Sequence, residues 1–137
     1  MLRPRISVQV DEAQRIVTAR YIGAVHGDQV VDEVLSVYRT LDKAWEYDCI
    51  WDLSRHAGWV EIRHNEALAQ GWKNIAGGRD AGRLTAVVSC DPLIDVRLPL
   101  TQVMFPFRTV ALFGTVEAAR LWIEAMRAES VADVSAA

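Results

Sequence analysis

Tyr47-Asp48-Cys49-Ile50-Trp51-Asp52-Leu53-Ser54 is the stretch that decides the fold. Aromatic and branched residues favour a pleated strand, and Tyr47, Cys49, Trp51 and Leu53 alternate with Asp48, Ile50 and Asp52. Both faces carry an apolar residue, which suits a central strand. Asp-Leu-Ser closes the run, and a loop with His56 and Gly58 follows. The C-terminal end of this strand is the expected functional surface.

Working outward toward the N-terminus, Val30, Val31, Val34, Leu35, Tyr38 and Leu41 make one stripe at helical spacing, with Asp32, Glu33 and Arg39 facing away. Asp28 is the expected N-cap, because a carboxylate accepts from an early free N–H. Trp45 is expected to pack back under the end of that helix. Before Gly23 and Gly27, two alternating runs stand four residues apart. Ile6, Val8 and Val10 mark the first; Val17, Ala19 and Tyr21 mark the second. They read as a hairpin with its first strand at or near an edge.

Toward the C-terminus, a second helix is expected from near Glu61, with Leu68, Trp72 and Ile75 inward and Gly77-Gly78 as its stop. Residues 84–89 are apolar almost throughout, as in a strand covered on both faces. Asp91-Pro92 is a sharp helix start. Residues 93–105 are the most apolar part of the chain, and Pro99 should kink or split that helix. Residues 109–113 form the last strand. Thr115 caps a final helix carrying Val116, Ala119, Trp122, Ile123 and Met126 inward. One domain is expected over residues 1–128, with a loose tail at 129–137.

The order is ββαβαβαβα, an α/β fold with a mostly parallel sheet and an N-terminal antiparallel hairpin. The 137 residues are 51% apolar and 24% charged, the balance of a globular chain. Apolar runs fall short of the ~20 residues of a membrane span, and no signal peptide is seen, so a cytoplasmic location and no transmembrane segment are expected. Net charge is −3, with 13 Arg against 2 Lys, so no nucleic-acid partner is expected beyond a local patch at Arg79 and Arg83. Cys49 and Cys90 are staggered by about 13 Å at ~3.3 Å per residue, too far to bridge, so two free, buried thiols are expected.

Three stretches resemble the SpoIIAA-like fold of STAS domains, and small STAS-like bacterial proteins of unknown function in particular. They are the opening hairpin, the strand ending Trp51-Asp52-Leu53-Ser54, and Phe107-Arg108-Thr109-Val110-Ala111-Leu112-Phe113 running into Glu117-Ala118-Ala119-Arg120-Leu121-Trp122. The likeness covers residues 5 to 128. It implies a non-enzymatic regulatory or protein-interaction domain. Antagonist STAS domains carry a phosphorylated Ser or Thr just after this strand. Here Arg55-His56-Ala57-Gly58-Trp59-Val60-Glu61-Ile62 holds no hydroxyl, so that switch is not expected. CRAL-TRIO lipid-transfer domains share the fold, which makes a small apolar or lipid-like ligand the alternative.

The strand ends offer His26, Asp52, Ser54, His56, Cys90 and Asp91. Asp52, Ser54 and His56 have the residue types of a hydrolase triad but lack a nucleophile turn, so no catalytic residue is assigned; Asp52 and Ser54 are expected to bond nearby backbone N–H groups. An enzyme using Asp52, His56 or Asp91 is the least favoured reading. His26, His56 and Asp91 are the candidates for a metal, but no i, i+4 histidine pair is present and His64 is placed away from them. No metal and no cofactor are therefore expected. Trp59, beside Val60, is either a contact residue or a staple on the second helix. Residues 93–105, Met104 included, are buried, a homodimer surface, or a pocket wall. The expected contact set is Asp52, Ser54, His56, Trp59, Val60, Asp91 and Met104.

Overall fold

The computed structural model describes residues 3–136, with side-chain surroundings through residue 132. Its elements run β1 (Arg5–Asp11), β2 (Ile16–Gly23), α1 (Gly27–Thr40), a 3-10 turn (Ala44–Glu46), β3 (Asp48–His56), α2 (Ile62–Ala76), β4 (Leu84–Val88), α3 (Pro92–Met104), β5 (Thr109–Phe113) and α4 (Val116–Ala136). The strands form one sheet in the order β1-β2-β3-β4-β5. β1 pairs antiparallel with β2, and the other pairs are parallel.

Strand order equal to chain order has a consequence for the layers. Right-handed crossovers that always step in one direction leave α1, α2 and α3 on one face. There Val30, Val34, Leu35 and Tyr38 of α1 and Leu68 and Trp72 of α2 pack on Val17, Ala19, Tyr21, Cys49, Trp51 and Val87. α4 covers the other face, where Ala119 and Ile123 meet Ile16, Ile50, Leu84, Ala86 and Val88. Ile50 and Ile123 are fully buried, each contributing roughly 2–3 kcal/mol.

The interior also holds charge. Arg108 is buried and donates to Thr85 Oγ1, the Tyr47 and Leu84 carbonyls and Cys49 Sγ. Its Nη1 lies 3.6 Å from Asp80, which also accepts from Trp72 Nε1 at 2.8 Å. Asp48, buried at the start of β3, accepts from Leu84 N and from Arg127 of α4. These two carboxylates tie helices to strands at the end opposite the loop His56–Gly58.

Several local expectations hold: β1 is an edge strand, Gly77 ends α2 in a left-handed conformation (φ 57°), and Thr115 Oγ1 accepts from Ala118 N. Others are corrected. The α1 cap is His26, whose Nδ1 accepts from the N–H of Asp28; the chain is extended at His26, which leaves Asp28 inside the first turn. Pro99 does not split α3, which runs through it unbroken. α3 has no buried residue, so deep burial of the apolar segment is overturned: one helix facing one sheet edge leaves an outer side uncovered. Both thiols are free, but Cys90 is exposed because β4 ends at Val88 and Cys90 falls in the following loop. Helix α4 continues through residues 129–136, where no Gly or Pro stops it; residue 137 lies outside the described residues. Arg79 stacks over Trp45 at 3.6 Å and donates to the Ala76 carbonyl, and Arg83 reaches the Glu46 carbonyl. Both are engaged within the fold. No helix among the described residues is long and apolar enough to cross a membrane.

Candidate functional site

β3 runs three residues further than its apolar pattern, to His56, and stays paired with β2 across a register shift between Arg20 and Ile22. The register shift places an extra residue in β3 between Asp52 and Arg55, which breaks the alternation and divides the expected residues. Asp52 and Ser54 share one face: Asp52 Oδ1 accepts from both the Ser54 N–H (3.0 Å) and its hydroxyl (2.6 Å), while Oδ2 sits 3.8 Å from Arg20 Nε. This matches the expected bond from Asp52 to backbone.

The opposite face opens into a cleft of about 80 Å³ between the ends of β2, β3 and β4 and the inner side of α3. Its walls include Tyr21, Trp51, His56, Trp59, Val60 and Asp91. His56, Trp59, Val60 and Asp91 are thus brought together, and Asp52 and Ser54 are turned away. Met104 lies apart, in a wider groove of about 470 Å³ between α2 and the end of α3, with Trp72 and Phe107.

His56 stands edge-on to Tyr21, ring centres 5.5 Å apart. Burial holds its pKa below the ordinary imidazole value, partly offset by a backbone hydrogen bond at Val25. Asp91 is occupied as the α3 cap, accepting from Leu93 N. Trp59 is 46% exposed and lies under the Arg97 guanidinium at 4.3 Å. Arg97 also donates to the Val60 carbonyl at 2.8 Å, so α3 holds the loop of residues 57–61 in place. Burial lowers the Arg97 pKa from its usual value, and its charge stays in place at neutral pH. Arg97 was not among the expected residues. An arginine inside the most apolar segment of the chain was the signal for it.

His56 bonds neither Asp52 nor Ser54, and its Nε2 has no partner. The cleft is also well below the ~300 Å³ at which drug-sized ligand pockets begin. The exposed surface running from the cleft to the wider groove is apolar: Trp59, Ile62, Leu93, Val96, Leu100, Val103 and Phe107 are all 41% exposed or more.

One further correction concerns histidine. His64 is not remote from the other imidazoles; it is buried at the start of α2, 5.5 Å ring to ring from His26.

No family model matches the sequence, and no curated protein matches it. Among solved structures the chain is similar to an uncharacterized protein of the DUF3478 family from Shewanella loihica PV-4, described as having a SpoIIAA-like fold. The identity is 12%, the match covers 90% of this chain and 95% of the other, and the TM-score is 0.54. A likeness at that identity is one of fold, and it agrees with the hairpin-led, otherwise parallel sheet: the chain has a SpoIIAA-like fold.

Proposed function

We propose that this chain is a non-enzymatic, regulatory interaction domain of SpoIIAA-like fold that acts as a homodimer, with the outer face of α3 as its contact surface. The observation that carries this reading is the spacing of the exposed apolar residues. Leu93, Val96, Leu100 and Val103 stand three, four and three residues apart and are 56%, 76%, 41% and 73% exposed. That is the narrow seam with which helices pair. A seam on one helix is self-complementary under a two-fold axis, so a second copy of the chain is the occupant that fits it.

Trp59 extends the surface. Arg97 fixes its ring against α3, so a half-exposed aromatic enters the contact without losing side-chain freedom on binding. The earlier alternative, an apolar ligand between α3 and the sheet, finds little support in a cleft of about 80 Å³. Nothing in the loop of residues 55–62 offers a phosphorylatable hydroxyl, so regulation here would work by pairing and not by phosphoryl switching.

Light scattering coupled to size exclusion tests the reading. Wild type is expected at twice the chain mass at tens of micromolar, and Val96→Glu/Val103→Glu at the chain mass with an unchanged circular dichroism spectrum. A wild type that stays monomeric at millimolar concentration, or a double variant that still pairs, would overturn it.

A further inference from the structure

The start of α1 and the start of α2 bring His64 to His26 and Asp28, which stand more than 30 positions earlier in the chain. His26 caps α1, Asp28 lies in its first turn, and His64 comes from the first turn of α2. The Asp28 carboxylate stands between the two imidazoles, Oδ1 3.1 Å from His64 Nε2 and Oδ2 3.6 Å from His26 Nδ1. One ligand atom from each residue can be chosen so that all three lie within 4.8 Å of one another.

His64 supplies the independent sign of a ligand. It is 5% exposed; Nδ1 has no hydrogen-bond partner, and Nε2, although 3.1 Å from Asp28 Oδ1, forms no well-aligned hydrogen bond. Leaving a buried polar group unbonded costs about 1–3 kcal/mol, so an orphaned imidazole at such a position calls for an occupant. The ring is also seated deliberately close to α1. A Cβ on Gly27 would fall 2.2 Å from His64 Nδ1, so only glycine at that position admits it.

From this geometry we infer that His26, Asp28 and His64 form a site for a divalent transition-metal ion of the zinc class, bridging α1 and α2. Two neutral imidazoles and one carboxylate are the donor set that borderline ions such as Zn²⁺ take up at about 2.0–2.2 Å. Tetrahedral bonds of that length put ligand atoms about 3.3 Å apart, so the cluster must contract by about 1.5 Å at its widest. His26 and Asp28 can make that movement because both side chains are 66% exposed, while His64 stays fixed as the anchor. The same exposure leaves the fourth position to water. The positive end of α1 opposes a cation, and Asp28 offsets it.

The test is calorimetric titration of the untagged, EDTA-stripped full chain with ZnCl₂ at pH 7.5. The expected result is saturable binding of one ion per chain. His26→Asn is the informative variant, since asparagine keeps the helix cap and removes the imidazole. It and Asp28→Asn should each weaken binding at least about tenfold, the loss reported for weaker, outer-shell changes at metal sites. His64 is left intact in these variants because it is buried. Histidine NMR resonances of His26 and His64 should shift on titration while those of His56 stay still. Absence of saturable zinc binding would overturn the site, as would undiminished affinity in His26→Asn and Asp28→Asn or a shift confined to His56.

Discussion

Arg108 shows how a single buried charge is made tolerable. Its guanidinium is distributed over two carbonyls, a hydroxyl and a thiol, with the Asp80 carboxylate 3.6 Å away. Burial first, and then mutual proximity, pushes the Tyr38 phenol above its usual value, and burial pushes up the neighbouring Cys49 thiol, so both stay neutral and Arg108 remains the cation of the cluster. Arg108→Met should cost about 3–5 kcal/mol, because it leaves the buried Asp80 carboxylate without its counter-ion; urea unfolding followed by tryptophan fluorescence reads the difference. His56 carries the opposite lesson. Its folded pKa lies below 6.5, so its neutral form is the one that fits the fold. The stability it contributes is complete above pH 6.5 and is lost as pH falls through the lower folded value. Wild type should therefore lose more stability than His56→Gln between pH 7.5 and 5, measured as the gap between their urea midpoints.

At the scale of elements, α3 is the segment that departs most from expectation. Its residues are apolar enough for a core, and periodicity alone does not say which side a helix buries when nearly every side is apolar. Ile94, Leu98 and Phe105 face the core, and the seam faces outward. Pro99 lies on this helix without breaking it, because its ring is on the exposed side and a missing N–H there leaves a solvent-facing carbonyl unpaired. Pro99→Ala should stabilise the chain by about 1–2 kcal/mol. Helix propensity favours alanine by up to ~3 kcal/mol, and the freer unfolded chain takes back about 0.4–1 kcal/mol. A rise in the thermal midpoint is the expected readout, and a fall would mean that the proline shapes α3 for its role.

For the molecule as a whole, the legible part was the sheet. Alternation at Val17, Ala19 and Tyr21, the doubly apolar run of β4 and the Asp91-Pro92 start each report a local constraint, and local constraints are written in neighbouring residues. The site was half legible. His56, Trp59 and Val60 follow from being next to the end of β3 and Asp91 from being next to the end of β4, and they do line one cleft. Asp52 and Ser54 were grouped with them by the same adjacency, but the extra residue that β3 carries between Asp52 and Arg55 separates their face from that of His56.

By itself, then, the sequence determined the order of elements, the mostly parallel sheet behind its hairpin, and the identity of β3 as the central strand, because backbone period and burial pattern are properties of short stretches. The tertiary structure alone decided three things: that Arg97 holds Trp59, that α3 turns an apolar seam outward, and that His64 joins His26 and Asp28. The first and third join residues more than 30 positions apart in the chain, and the second depends on how α3 is set against the sheet. That setting comes from packing over the whole sheet, and no stretch of chain carries it alone.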